Sequence, residues 1–160
     1  VTVVEGQVAF TVASDKRFKR DIAENVPGLS FITKLKPVTY HLDMDQMVAI
    51  MQTPESERSQ ELESLQSQIL KTGFIAQEVE LAANEIDYDF DAINKPHDET
   101  GYYTLAYGTF VVPLVKAIQE QQQMIDSLSK KTEQRQEIIN TLTDTLQQLQ
   151  LTFNSLKNPL

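Results

Sequence analysis

Cysteine is absent from the 160 residues, which removes disulfides, thiolate metal sites and cysteine nucleophiles from consideration. Histidine is nearly absent as well. His41 and His97 stand in unrelated contexts, and a histidine triad or a two-histidine metal site would have to use both. No metal and no cofactor is expected. No apolar run approaches the roughly 20 residues of a membrane span, so no membrane partner is expected either. No signal-peptide pattern follows Val1, and the chain reads as a piece of a longer polypeptide whose localisation is set by other sequence. A nucleophile elbow, the sharp turn that exposes serine in many hydrolases, is missing, as is a third residue to complete a triad. A hydrolase acting on separate substrates is thereby set aside.

What is present suffices for one modest domain with a core, since 41% of the residues are hydrophobic. The net charge of −9 argues against general nucleic-acid binding. Its distribution is uneven. After Phe110, Lys116, Lys130, Lys131, Arg135 and Lys157 balance Glu120, Asp126, Glu133, Glu137 and Asp144, so the excess acid lies in the first part of the chain. Within that acidic part, Lys16, Arg17, Lys19 and Arg20 form one dense basic cluster beside Ser14. Such clusters are usually solvated faces, and the surrounding acid opposes a nucleic-acid role for this one.

Residues 1–13, rich in Val and Thr, predict two short strands or one bent strand continuing from upstream β-structure. Leu29, Ile32 and Leu35 share a helical face, and Pro37 ends that helix and favours extended geometry at Lys36. Val38, Thr39 and Tyr40 suit a strand. Met44, Met47, Val48 and Met51 have helical spacing, and Thr53-Pro54 predicts a new helix start carrying Leu62, Leu65 and Ile69, ended by Gly73. The segment FIAQEV from Phe74 predicts a strand-to-helix junction, with helix favoured from Gln77 to Asn84. Tyr88, Phe90, Tyr102, Tyr103 and Tyr107 gather in a loop-rich stretch and are read as core and edge packing rather than a ligand site.

The final fifty residues carry the clearest pattern. With Val111 at heptad position a, the a residues are Val111, Ile118, Ile125, Thr132, Ile139, Leu146, Phe153 and Leu160. The d residues are Leu114, Gln121, Leu128, Arg135, Leu142, Leu149 and Leu156. Twelve of the fifteen are apolar without a break in register, which predicts a coiled coil. A helix folded onto its own domain would not need a strict 3.5-residue period over this length. Ile at a with Leu at d leans towards two strands, and the polar seam residues do not decide strand number, so dimer and trimer both stand on this pattern.

Only SDKRFKRDI, from Ser14 to Ile22, has the makings of a nucleophile. A serine hydroxyl attacks poorly unless a base takes its proton, and a lysine serves as base where burial or neighbouring cations disfavour its charge. Ser14 and Lys19 point to opposite faces of an extended strand, so a contact between them requires an intervening turn or packing across chains. Spacing alone does not distinguish this pair from the many serines that lie near lysines.

SDKRFKRDI, then LKPVTYHLD, then TGFIAQEVE, then a tyrosine-rich loop and a coiled coil, together resemble the endosialidase-type intramolecular chaperone domains. Those domains form the self-cleaving C-terminal ends of phage tailspikes and fibres, with relatives in bacterial surface proteins. The resemblance implies a phage-particle or bacterial-surface setting and an α+β fold, in which a small mixed domain with N-terminal strands and short helices precedes a long coiled-coil helix. It implies a homotrimer whose partners are its own copies and the upstream segment of the same polypeptide. It also implies a single-turnover serine peptidase, with Ser14 and Lys19 as the catalytic dyad cutting next to Ser14. The Ser14 hydroxyl reaches its own preceding carbonyl through a five-membered ring, which favours the bond Ala13–Ser14 over Ser14–Asp15. The expected division is residues 1–13 as the end of an upstream β region, 14–109 as the autoproteolytic chaperone domain with 43–70 as a helical insertion, and 110–160 as the coiled coil. Gln77 or Glu78 is expected to orient the dyad, with the block from Gly73 to Glu80 packed beside it. The competing function is a non-catalytic oligomerisation module in which Ser14 is an ordinary loop residue.

Overall fold

The computed structural model describes residues 12–98 and 101–157. The fold is a small mixed helix-and-sheet unit followed by one long helix. Its helices are α1 (Leu29–Ile32), α2 (Met44–Met51), α3 (Gln60–Ser67), α4 (Ala76–Asn84) and α5 (Val111–Lys157). Two short antiparallel pairs complete it. Strand β1 (Val38–Tyr40) pairs with β2 (Lys71–Gly73), Val38 opposite Gly73, and β3 (Ile93–Asn94) pairs with β4 (Thr104–Leu105). The expected strands of residues 1–13 lie, up to residue 11, outside the described residues. Val12 and Ala13 belong to no strand.

Local chemistry sets most boundaries. Asp43 caps α2 by accepting from the Gln46 N–H at 3.0 Å, and Gln52 closes that helix in the left-handed region at φ 52°. The expected helix start at Thr53-Pro54 is displaced. Pro54 opens only a single 3₁₀ turn, Glu55–Glu57, and the N-cap of α3 is Ser59. Arg58, between them, reaches forward to Glu63 through two hydrogen bonds of 2.8 and 3.1 Å, which favours the later start. The stretch 43–70 is therefore two short helices joined by a turn, as the reset at Thr53-Pro54 implies, with the second helix starting later than expected. The segment expected to form a helix over 29–35 keeps a regular α-helix only to Ile32, followed by turn bonds from Lys34 and Leu35.

Gly73 differs from expectation in role. The helix before it has already ended at Ser67, and Gly73 instead closes β2. A side chain there would place its Cβ 2.5 Å from the Tyr107 hydroxyl, which accepts the Phe74 N–H at 3.0 Å. Only glycine lets the strand approach that closely.

The core is aromatic. Phe31, fully buried, meets Tyr88 and Phe90 edge-on at ring separations of 5.2 and 4.9 Å, and Phe90 meets Phe110 at 4.9 Å. Val79, Ala82 and Ala83 supply the inner face of α4. Phe90 thus belongs to the core and Tyr88 packs against it, whereas Tyr102 and Tyr107 are half exposed.

Helix α5 docks on this unit only through its first turns. Pro113 and Ala117 are buried, and the contact with α1 is close enough that a Cβ on Gly28 would lie 2.7 Å from the Ala117 nitrogen. The Glu120 carboxylate accepts the Leu29 N–H at 2.8 Å, supplying the N-terminus of α1 with a cap that its own Gly28 lacks. Past that point the helix leaves its own domain. The a and d residues Ile118, Ile125, Leu128, Ile139, Leu142, Leu146 and Leu149 are all more than half exposed.

Candidate active site

Residues 14–20 are shaped by one capped turn. The Asp15 carboxylate accepts the Arg17 N–H at 2.8 Å, and bonds from Phe18 N–H to the Asp15 carbonyl and from Lys19 N–H to the Lys16 carbonyl close a 3₁₀ turn, Lys16–Phe18. Lys19 then returns to extended geometry at φ −112°, ψ 136°. One turn between two extended residues reverses the side-chain relation that a strand would give. Lys19 Nζ donates to Ser14 Oγ at 2.8 Å. The contact is made within one chain.

Asp15 would compete for Lys19 if it were unpaired, but it is engaged twice over. Arg17 grips it through Nε and Nη2 at 3.0 and 2.7 Å. The Arg17 side chain, and after it the Arg17 backbone N–H, hold the Asp15 carboxyl below its usual range, while Asp15 pushes the Arg17 guanidinium upward. The acid beside Ser14 is thus neutralised by a cation other than Lys19. Ser14 and Lys19 themselves are open to solvent.

The block from Gly73 to Glu80 makes no hydrogen bond to Ser14 or Lys19 among the described residues. Gln77 is exposed, and Glu78 lies 3.9 Å from Lys36. Next to it Glu80 forms a network that no sequence signal announced. It pairs with Lys95 and accepts the Tyr103 hydroxyl at 2.8 Å, and Lys95 first, then Tyr103, hold its carboxyl below the usual range. These partners stand 15 and 23 positions away, beyond any local motif. Among the described residues no group of three or more His, Asp and Glu side chains is arranged to hold a metal ion. No helix among them is long and apolar enough to cross a membrane.

Fold and site together define a small mixed domain that carries a serine–lysine hydrogen bond at its entrance and a long, apolar-striped helix at its exit. Residues 14–88 match the family model described as the chaperone of endosialidase, a family that carries a peptidase name. The matched stretch opens on Ser14 and runs through β1, β2 and α4. Searches of curated proteins and of solved structures return no match to the chain.

Proposed function

We propose that this chain is an intramolecular chaperone that trimerises through α5, assists the folding of the segment upstream of it, and then releases itself by Ser14–Lys19 cleavage. The observation that carries the reading is the 2.8 Å hydrogen bond between Lys19 Nζ and Ser14 Oγ on the residue where the family match begins. The match to a chaperone family model supports the folding role. The exposed apolar stripe of α5 supports self-assembly, and the family resemblance supports three strands.

In the proposed reaction Ser14 Oγ attacks the Ala13 carbonyl carbon through a five-membered ring, with Lys19 accepting the hydroxyl proton. The Ala13–Ser14 C–N bond breaks, and its nitrogen takes the proton from Lys19 and leaves as the Ser14 amine. Ala13 is then held as an ester on Oγ, and water hydrolyses that ester, freeing a domain whose first residue is Ser14. Each chain cuts once. The physical benefit lies in order of events. Interleaved β-fibres depend on slow, non-local pairing that exposes strand edges, whereas a helical tail has mostly local contacts and can bring chain ends together first. Cutting afterwards separates the folded fibre from the element that guided it and leaves it kinetically trapped.

The test is intact-mass measurement on a longer chain that includes upstream sequence. A fragment beginning at Ser14 is expected, and a single uncut mass would support the competing reading, a non-catalytic oligomerisation module. The solvent exposure of the dyad within one chain favours that second reading unless assembly covers it.

A further inference from the structure

The apolar stripe of α5 is interrupted by a charge at one position only. Every a and d residue other than Gln121, Thr132 and Arg135 is apolar, and Thr132 and Arg135 occupy successive layers between Leu128 and Ile139. Arg135 is exposed, and among the described residues it makes no ion pair and no side-chain hydrogen bond. Its own helix offers it no acid. The positions three and four residues away hold Lys131, Thr132, Ile138 and Ile139, while Glu133 and Glu137 are two positions off and lie round the helix from it.

Neighbouring helices of a parallel coiled coil would offer none either. Ion pairs between helices are made by residues at e and g. The acids of α5, Glu120, Asp126, Glu133, Glu137 and Asp144, all fall at b, c or f of the heptads. Nearest the two polar layers, e and g carry Ser129, Gln136, Lys131 and Ile138. Gln136 is engaged with Asn140 of its own chain at 3.0 Å, and Lys131 only adds positive charge.

Shape leads to the same place. A helical side chain leans towards the N-terminus, which carries the Arg135 guanidinium towards the Thr132 layer, about 4.5 Å earlier along the axis. Threonine is smaller than the Leu and Ile of the flanking layers and leaves room beside the seam. Its hydroxyl donates to the Leu128 carbonyl at 2.9 Å and keeps lone pairs to accept from a guanidinium. Cations gathered on one axis repel one another and lose water, and buried charge of this kind is tolerated only when it is paired.

We propose that the Thr132 and Arg135 layers of three α5 helices enclose a binding site for one small inorganic anion, a halide or a compact oxyanion, held on the assembly axis by the three guanidinium groups. This inference rests on the three-stranded reading above. It gives the tail a ligand of its own and ties the stability of the assembly to the anion concentration around it.

The test compares the chain with Arg135→Leu, which makes the layer apolar, at constant ionic strength made up with the bulky anion gluconate. Sedimentation is expected to find a trimer for both. The chlorine-35 resonance of added chloride is expected to broaden severalfold more with the unmodified chain than with Arg135→Leu. An excess that added sulfate reverses assigns the site to oxyanions as well, and one that sulfate leaves unchanged assigns it to halides. Thermal unfolding in chloride and in sulfate gives a second readout. Above the dissociation constant, each tenfold rise in the bound anion should raise the folded-to-unfolded ratio of the assembly about tenfold in the unmodified chain, beyond whatever Arg135→Leu shows. The variant carries the general effect of salt on burial, so the difference between the two belongs to the site. Trimers that broaden the line equally and respond equally to both salts overturn this inference and leave the three-stranded reading standing, since the guanidinium groups then reach outward to water. A monomer or dimer overturns both.

Discussion

A serine and a lysine five positions apart face away from each other in an extended chain, and the pair here meets because Asp15 caps a single turn between them. In the proposed reaction that cap makes Asp15 a positioning residue. Asp15→Ala is expected to slow cleavage several-fold while leaving sedimentation unchanged, since the turn loses its cap but the reacting groups remain. Ser14→Ala should abolish cutting and leave a folded, uncut assembly, because one exposed hydroxyl contributes little to stability. Lys19→Arg should also abolish it, since a guanidinium stays charged and cannot accept the proton. Lys16→Ala should slow it only modestly. Intact mass over time reads all four, and normal cutting in Lys19→Arg would sink the dyad.

At the scale of elements, the junction between α1 and α5 governs how the long helix is mounted. Gly28→Ala forces a Cβ against the α5 backbone at Ala117, an overpacking that costs about 1–3 kcal/mol. Glu120→Ala leaves the Leu29 N–H without its acceptor, a loss of about 1–2 kcal/mol. Phe31→Ala empties the centre of the aromatic core and should cost about 3–5 kcal/mol. Denaturant unfolding followed by circular dichroism ranks the three, and a neutral Gly28→Ala would mean that the helices are free to part. Elements joined by ion pairs also set the pH response. Glu63, Glu80 and Glu85 are each held below the usual carboxyl range, chiefly by hydrogen bonds from Arg58, Lys95 and Lys34. A folded-state pKa below the unfolded one stabilises at pH above the unfolded carboxyl value, and that stabilisation disappears as pH falls through the folded one. The melting temperature should therefore fall with acidification below about pH 5, and less steeply in Glu80→Gln.

For the molecule as a whole, the decisive feature is a helix of about 70 Å that touches its own domain only at the base. Its Ile and Leu side chains stay exposed along the length that leaves the domain, and a partner is the natural cover for such a stripe. Ending the chain after Ile118 should give monomers and stop self-cleavage, whereas the intact chain should sediment as a trimer. A melting temperature that rises with protein concentration is the accompanying sign of assembly. A monomer or dimer for the intact chain, measured by sedimentation, would defeat the trimer.

The helical tail was legible from residues alone because a heptad is a local, periodic signal repeated many times, and no tertiary contact is needed to read it. The strand at Val38–Tyr40 and the helix of Met44–Met51 were legible for the same reason, from Pro37 and from apolar spacing. Ser14 and Lys19 were marked as a pair by family resemblance, while their spacing argued against contact until the turn at Lys16–Phe18 joined them. The role of Gly73 depended on Tyr107, the cap of α1 on Glu120, and the Glu80 network on Lys95 and Tyr103. Those partners lie 15 to 91 positions apart in sequence. Local patterning determines which way a segment turns and which face is apolar. Which distant segment fills a given contact is decided only when the chain packs, because that choice depends on shape and hydrogen-bond geometry that no short stretch contains.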